Sequence, residues 1–374
     1  MTVVALLLTV SSPAQSDGGM FPVLAGSGAS ADQRAVVAFD GSRETLILQT
    51  AYQGDGSDFA WVIPVPEQLA AGDIGTADPL IFDDLYDLTE PRARGGGGRG
   101  LLGCGSAGGQ RLASVRVWET LHVDGYEVAI LSAAESADLE AWLNQNGYAF
   151  PSGHQDALNY YVGKSWFFVA ARMSPDASGQ AGEARPLRLR FDAAEPVYPM
   201  RISAASSDSE VEVLRYVIAA HRVTSANYVA EAVRLNALYR GGDFGAYYEG
   251  QFRESLTRAG PGSLLVEYAG ELPRYVASAY ASDLGLGSGT HHVTRLRSYL
   301  QPHHMAEDIF FEDASSDEPF EVRVASAASP EVRVRLAHAG VLLCLAAMLG
   351  LASGNRRGLV RALLGSALIA LLLL

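Results

Sequence analysis

Residues 115–131 read VRVWETLHVDGYEVAIL, a stretch that predicts an antiparallel β-hairpin and therefore a fold that contains a β-sheet. Before Asp124-Gly125, hydrophobic and polar side chains alternate, which is the period of a strand with one buried face. A second strand-like run follows at once. Asp-Gly between two such runs favours a type I′ turn, because both central residues of that turn need a positive φ.

Two helices are predicted directly after this hairpin. Ser132 and Glu135 have the spacing of a capping box, an apolar stripe lies within residues 139–143, and Gly147 suits the left-handed position that ends a helix. A second, shorter helix is predicted to end at Gly163, ahead of another strand.

The rest of the chain adds strands and a few helices in mixed order. Strands are predicted at residues 33–40, 44–52, 59–65, 166–171, 187–191, 211–222, 264–268 and 293–300, and helices at 78–88 and 244–258. Pro64 and Pro66 cannot donate to a β-ladder, so they place their strand at a sheet edge or at a strand end. The order, with no internal repeat, favours an α+β fold with largely antiparallel sheet and short helices.

The N-terminus has the pattern of a signal peptide. Residues 3–10 are an apolar run, and Ser12-Pro13-Ala14 offers the small residues that a signal peptidase reads. We expect residues 1–14 to be removed and residues 15–332 to form an exported α+β domain. The alternative is that the apolar run is a buried first strand.

The C-terminus predicts a membrane hairpin of two short helices, residues 337–352 and 359–374. Each segment of sixteen apolar residues spans ~24 Å at 1.5 Å per residue, somewhat less than the ~30 Å hydrocarbon core. The arginines of the connecting residues 353–358 favour a cytoplasmic loop by the positive-inside rule, which places the preceding domain outside the cell membrane. The alternative is a helical hairpin buried against a soluble domain.

Charge and special residues exclude several classes of function. The net charge of −14 argues against nucleic acid as a partner. It also gives no attraction to anionic lipid, so any attachment to a membrane has to be hydrophobic. The glycine-rich insertion at residues 92–110 lacks the Gly-Lys-Ser/Thr ending of a phosphate-binding loop. Cys104 and Cys344 are the two cysteines, and their positions predict no disulfide framework.

Eight motifs carry a resemblance to a known family. They are YQG at 52–54, DFAWVIPVP at 58–66, FDDL at 82–85, WLNQNGY at 142–148, WFFVA at 166–170, VYPM at 197–200, TRLR at 294–297 and MAED at 305–308. Together they resemble an uncharacterised bacterial family, domain of unknown function 2330, over roughly residues 33–325. The resemblance implies an exported protein with a C-terminal membrane segment, and it supplies no catalytic residues. Relatives tend to have a cysteine-containing segment after the signal, which residues 20–31 lack.

Four histidines are weak candidates for metal ligands: His291, His292, His303 and His304. Their imidazoles, with the nearby Glu307 and Asp308, have the chemistry of a zinc site. Adjacent residues of a strand point to opposite faces, however, so each pair can offer one imidazole to a common site. We favour surface histidines and expect no metal and no cofactor.

Two other groups have a structural alternative that we prefer. Asp55 and Asp58 could form an acid pair or a calcium loop, but the further ligands and the closing glutamate of a calcium loop are missing, so a polar turn is favoured. The second group consists of aromatic side chains that could line a ligand groove. Core packing is favoured because these residues lie in predicted strands. They are Phe59, Trp61, Trp166, Phe167 and Phe168.

The sequence therefore predicts a membrane-anchored extracytoplasmic protein of the bacterial cell envelope. No nucleophile elbow or activated cysteine is recognisable, which favours a non-enzymatic binding or structural component with an envelope protein or glycan as its partner. The alternative hypothesis is a membrane-tethered, metal-dependent hydrolase that uses the paired histidines.

Overall fold

The computed structural model describes residues 19–22, 32–50, 59–93, 116–148, 150–173, 185–206 and 210–325. These residues belong to two compact units. The first unit takes its described residues from 1–90, 99–233 and 256–321, and the second takes them from 91–98, 234–255 and 322–374.

Several predictions concern residues outside the described ranges. These are the signal peptide (1–14), the membrane segments (337–352 and 359–374), most of the glycine-rich insertion (92–110), and the pair Asp55 and Asp58. Within the described ranges, no helix combines the length and the apolar character needed to cross a bilayer.

The described elements are mostly strands, with a few short helices. The strands are β1 (Gly19–Pro22), β2 (Asp32–Phe39), β3 (Arg43–Thr50), β4 (Phe59–Val65), β5 (Ile74–Thr76), β6 (Arg92–Ala93), β7 (Arg116–Val123), β8 (Tyr126–Ser132), β9 (Phe167–Met173), β10 (Leu187–Asp192), β11 (Val197–Tyr198), β12 (Val211–Ala219), β13 (Val223–Ser225), β14 (Ala230–Ala232), β15 (Leu264–Glu271), β16 (His292–Leu300), β17 (Ile309–Asp313), β18 (Phe320–Glu321) and β19 (Arg323–Val324). The α-helices are α1 (Leu80–Thr89), α2 (Ser136–Gln145), α3 (Gln155–Gly163), α4 (Phe244–Ala259), α5 (Arg274–Ala279) and α6 (Ala281–Leu284), and short 3-10 helices lie at Ala71–Asp73, Arg201–Ala205 and Pro302–His304.

The larger sheet of the first unit has nine strands, in the order β14-β15-β16-β12-β2-β3-β10-β5, with β18 also paired to β15. Neighbouring strands run antiparallel except for two parallel pairs, β2 with β12 and β14 with β15. The predicted hairpin of β2 and β3 is confirmed. Its turn is stabilised by Asp40, whose Oδ1 accepts hydrogen bonds from the backbone N–H groups of Ser42 (2.9 Å) and Arg43 (2.8 Å).

The smaller sheet has five antiparallel strands in the order β1-β4-β9-β8-β7. The β7–β8 hairpin is confirmed with its turn type, since Asp124 (φ 40°) and Gly125 (φ 94°) both have positive φ. Strand β1 pairs with residues 59–62 of β4 and leaves Pro64 beyond it, as predicted for a strand end. A separate three-stranded sheet has the order β11-β17-β13.

The two main sheets pack face to face between two layers of helices. One core lies between the sheets, a second packs α1, α5 and α6 on the outer face of the larger sheet, and a third packs α2 and α3 on the outer face of the smaller sheet. The first unit is thus a four-layer α+β arrangement. Each fully buried aliphatic or aromatic side chain stabilises it by roughly 1.5–3 kcal/mol.

Burial on both faces explains why some strands are continuously hydrophobic. In β2, Ala35 and Val37 belong to the core between the sheets, whereas Val36 and Ala38 contact the helical layer. All four are at most 1% exposed. A strand with this pattern is a central strand.

One detail of the predicted helix ends is wrong. Ser132 does not cap α2, because it is the last residue of β8 and its Oγ accepts a hydrogen bond from Trp118 Nε1 (2.8 Å) across the hairpin. Helix α2 begins at Ser136, and Glu135 precedes it without a side-chain cap. Gly147 (φ 81°) ends α2 as predicted. Helix α3 ends at Gly163, also as predicted, and the left-handed residue after it is Ser165 (φ 58°).

The second unit is smaller and contains β6, β19 and most of α4. Strands β6 and β19 run parallel to each other. At the start of α4, Phe244 stacks on Tyr248 (6.2 Å between ring centroids) and meets Tyr239 edge-on (5.5 Å). These rings form an aromatic cluster in the described part of the unit, in which Phe252, Val322 and Val324 are also buried.

Candidate functional site

The structure does not bring the two histidine pairs together. His292 is the first residue of β16, and His303 and His304 lie in the 3-10 helix that follows the end of that strand. At ~3.3 Å per residue, β16 separates the two pairs by roughly 26 Å. Among the described residues, no group of three or more His, Cys, Asp and Glu side chains is arranged to hold a metal ion.

Each histidine instead has a local environment. His291 Nε2 lies 2.9 Å from the carbonyl oxygen of Gly287, and His292 Nδ1 lies 3.0 Å from that of Ala220. The rings of His303 and His304 are 4.1 Å apart, and burial together with the neighbouring His303 lowers the pKa of His304.

A second candidate site is centred on Asp308, just before β17. Its side chain is 0% exposed. Oδ1 accepts hydrogen bonds from the Tyr161 hydroxyl (2.5 Å) and from the backbone N–H of Arg201 (3.1 Å). No donor of the described residues reaches Oδ2, which is also buried. A buried carboxyl oxygen without a donor is expensive, which makes Asp308 a candidate functional residue.

Burial decides the protonation of this carboxyl group. It raises the pKa of Asp308 to about 6, although the hydrogen bonds from Tyr161 and Arg201 and the charges of Lys164 and Arg201 oppose the rise. Burial and the nearby Asp308 also raise the pKa of Tyr161 well above its ordinary value, so Tyr161 stays a hydrogen-bond donor at physiological pH.

Helix α3 positions Tyr161 for this contact. The apolar stripe of α3 packs on the smaller sheet, and Tyr161 lies in that core with its ring edge-on to Phe168 (6.1 Å between centroids). Its hydroxyl accepts a hydrogen bond from the backbone N–H of Ile202 (3.1 Å) while it donates to Asp308. The hydroxyl therefore connects α3, the 3-10 helix at Arg201–Ala205 and the segment before β17.

Above this buried pair lies a partly exposed group that we name the cation–aromatic rim: Tyr160, Lys164, Trp166, Arg201 and Phe310. Lys164 is the only lysine of the chain and is exposed. Its Nζ donates to the Tyr160 hydroxyl (2.6 Å) and lies 4.0, 5.3 and 5.1 Å from the ring centroids of Tyr160, Trp166 and Phe310. Three rings within ~6 Å of one ammonium group favour this position of the side chain.

Arg201 contributes the second cation of the rim. Its Cζ lies 4.6 Å from the centroid of the same Tyr160 ring. One guanidinium nitrogen donates to the carbonyl oxygen of Ala306, and another lies 3.5 Å from Oδ2 of Asp156, whose side chain is mostly exposed. The side chain is thus fixed on one side and accessible on the other.

Asn227 fixes the chain on both sides of Ile309. Its Nδ2 donates to the carbonyl oxygen of Asp308 (2.8 Å), and its Oδ1 accepts from the backbone N–H of Phe310 (3.1 Å). The neighbouring Tyr228 hydroxyl lies 3.0 and 2.9 Å from the carbonyl oxygens of His304 and Glu307. These contacts place Asp308 in the interior and Phe310 at the rim.

The arrangement suits binding better than catalysis. The rim offers two positive charges and aromatic surface to solvent. The carboxyl group of Asp308 lies beneath it and is fully buried, so it does not reach a bound molecule in this conformation. Asp308 acts instead through charge and hydrogen bonds on the residues that form the rim.

The candidate groove residues separate into core and rim. Trp61 and Phe168 are in the core, where Trp61 stacks on Tyr126 (6.1 Å between centroids). Trp166 is half-buried and belongs to the rim. Sequence reasoning noted Asp308 only as a neighbour of the second histidine pair, and it missed Tyr161, Lys164 and Arg201 as site residues.

A usable signal was present in the family-like motifs. WFFVA (166–170) begins at a rim residue, VYPM (197–200) ends directly before Arg201, and MAED (305–308) ends at Asp308. Three motifs that are distant in sequence thus meet at one place in the fold.

Comparison with known families gives one match. A family described as "Uncharacterized protein conserved in bacteria (DUF2330)" matches residues 12–312. The comparisons with curated proteins and with solved structures found no match.

Proposed function

The chain belongs to the DUF2330 family of uncharacterized proteins conserved in bacteria, and from its own residues we propose that it is a membrane-anchored, extracytoplasmic binding protein of the cell envelope. Two sequence features support the location: the signal-like residues 1–14 and the apolar segments 337–352 and 359–374. The binding surface of this proposal is the cation–aromatic rim.

One observation carries the binding role. The chain has a net charge of −14, and its single lysine, Lys164, is exposed. No carboxylate of the described residues lies within 4 Å of Lys164 Nζ. Lys164 and Arg201 both contact the Tyr160 ring. The aromatic rings hold the ammonium group at the surface without neutralising its charge. Its remaining N–H groups are therefore available to a partner from solution.

A metal-dependent hydrolase built on the paired histidines is the weaker hypothesis. Strand β16 lies between the two pairs, so any metal site there would need ligands from elsewhere. The role that we propose is therefore binding at the rim and not metal-dependent hydrolysis.

The single lysine gives a direct test of the location. A membrane-impermeant, amine-reactive ester is added to intact spheroplasts of the native bacterium, and peptide mass spectrometry measures the modification at Lys164. We expect labelling equal to that in permeabilised cells, and none at this position in the matched variant Lys164→Arg. Labelling only after permeabilisation would overturn the proposed location.

A further inference from the structure

We propose that the cation–aromatic rim binds an acidic sugar, through a carboxylate or phosphate group on the two cations and the sugar ring on the neighbouring aromatic side chains. This inference rests on the proposed binding function and names the ligand class of that same site.

The two cations share one aromatic ring. Lys164 Nζ and Arg201 Cζ lie 4.0 and 4.6 Å from the centroid of the Tyr160 ring. A carboxylate or phosphate group bound beside that ring, which accepts a charge-assisted hydrogen bond of ~2.8 Å from one cation, is also attracted by the other.

Both cations have donors to offer. The Lys164 ammonium has three N–H groups, and the Tyr160 hydroxyl accepts from one of them. Arg201 has a loose pair with Asp156 at 3.5 Å, and the Asp156 side chain is 77% exposed. Exposed pairs of this kind contribute about 0–1 kcal/mol, so an incoming anion with better geometry can replace Asp156.

The rings beside the cations favour a sugar over a simple inorganic anion. Trp166 and Phe310 are both half-buried, and each has its centroid within 5.3 Å of Lys164 Nζ. Aromatic rings combine a large contact area with little conformational entropy, and they suit the apolar face of a sugar ring. A ligand that bears its charge on such a ring uses both parts of the rim.

The net charge of the chain opposes the binding of anions at long range. A net charge of −14 repels polyanions in general, so binding to the rim has to come from local contacts and not from long-range attraction.

The experiment uses the full-length chain in detergent micelles and isothermal titration with four probes: a uronic-acid oligosaccharide, a sugar-phosphate oligosaccharide, the neutral parent oligosaccharide and a phosphopeptide. We expect one of the acidic sugars to bind at least tenfold more tightly than the neutral parent. Lys164→Gln and Arg201→Gln are each expected to weaken that binding about tenfold, while Lys164→Arg retains most of it.

A matched control is available in Arg116→Gln. Arg116 also stacks on an aromatic ring, with its Cζ 3.8 Å from the Trp118 centroid, but it lies on β7, the edge strand of the smaller sheet, and is not a rim residue. This variant should bind as the wild type does. Circular dichroism of each variant confirms that the fold is intact, and protection of the Lys164 amine from acetylation locates the bound sugar.

Each contrary outcome has a definite meaning. Equal binding of acidic and neutral sugars, or tighter binding of the phosphopeptide, overturns the acidic-sugar class. Acidic-sugar binding that survives both Gln variants overturns the assignment to the rim. Failure of all four probes overturns the inference, while labelling of Lys164 on intact spheroplasts would still support the location under the proposed function.

Discussion

Two fully buried carboxylates of the first unit are treated very differently. Glu267 on β15 lies 2.7 Å from Arg295 Nε, and Arg297 lies 3.8 Å away, so its charge is compensated. Arg295 also donates to Thr89 Oγ1 (3.3 Å) at the end of α1. Within the described part of the chain, Asp308 has only a tyrosine hydroxyl and a backbone N–H as donors. Glu267 and Arg295 thus form a structural ion pair that connects a helix to the sheet. The burial of the Asp308 carboxyl group, in contrast, is unfavourable for the stability of the fold.

The electrostatics of the two sites agree with that separation. Burial alone would lower the pKa of Arg295, but the adjacent Glu267 raises it above its usual range, so the guanidinium stays charged. At Asp308 burial is the dominant effect, and the pKa rises to about 6. The Arg295 guanidinium is fixed in its charge state, whereas a pKa of about 6 lets the Asp308 carboxyl group change protonation near pH 6.

The largest expected effect comes from breaking the structural pair. Glu267→Gln leaves the buried Arg295 without its main counter-charge, and we expect the free energy of unfolding to fall by roughly 3–5 kcal/mol. Urea unfolding followed by circular dichroism measures the loss. The double variant Glu267→Leu, Arg295→Met should recover most of it. A loss below about 1 kcal/mol in the single variant would contradict the role assigned to this pair.

The second prediction concerns pH. Because the pKa of Asp308 is raised on folding, the folded protein binds more protons than the unfolded chain between pH ~4 and ~6, and stability falls as pH rises through this window. At ~1.4 kcal/mol per pKa unit the loss is about 3 kcal/mol. Asp308→Asn should remove it.

Glu44 has to be considered in that measurement. Its burial also raises its pKa, which adds a dependence of the same sign. The relevant quantity is therefore the difference in unfolding free energy between wild type and Asp308→Asn at pH 4 and at pH 7. A difference that does not change with pH would show that Asp308 does not titrate in this range.

Two adjacent tyrosines of α3 provide the third prediction. Tyr161→Phe removes the donor to Asp308 and the acceptor for the N–H of Ile202, which should cost roughly 1–3 kcal/mol. Tyr160→Phe removes a hydroxyl that contacts only the exposed Lys164 in the described structure, and it should cost far less. Thermal unfolding of both variants side by side tests whether the buried hydroxyl carries the difference.

The smallest effect is expected at the rim itself. Lys164→Gln should change the unfolding free energy by no more than about 0.5 kcal/mol, because the side chain is exposed and makes only surface contacts. The same urea titration detects this. A larger loss would make Lys164 a structural residue and would weaken the argument for binding.

Much of the fold was accessible from the sequence because the strands have strong local patterns. The β7–β8 hairpin followed from Asp124-Gly125, and α2 was recognisable from its stripe and from Gly147. Its N-terminus was mispredicted because a non-local contact, from Trp118 to Ser132, extends β8 through the residue that seemed suited to cap the helix.

The candidate site was not accessible in the same way. Tyr161 has the spacing of a core residue and is one, and only the folded chain shows that its hydroxyl faces Asp308. Arg215 is a similar case, because the hydrophobic pattern of its strand does not predict that this arginine is 0% exposed. Such side chains depend on partners from distant segments, which a local pattern does not encode.

The parallel pairing of β2 with β12 has a consequence for how the chain folds. It joins Val36 to Tyr216 at the centre of the larger sheet, so the sheet closes only after most of the chain is available. Such non-local pairing raises the contact order and slows folding. During synthesis the β2–β3 hairpin exposes hydrophobic side chains and the unpaired edge of β2. We expect chaperones to bind this hairpin until residues 211–219 have been synthesised and pair with β2.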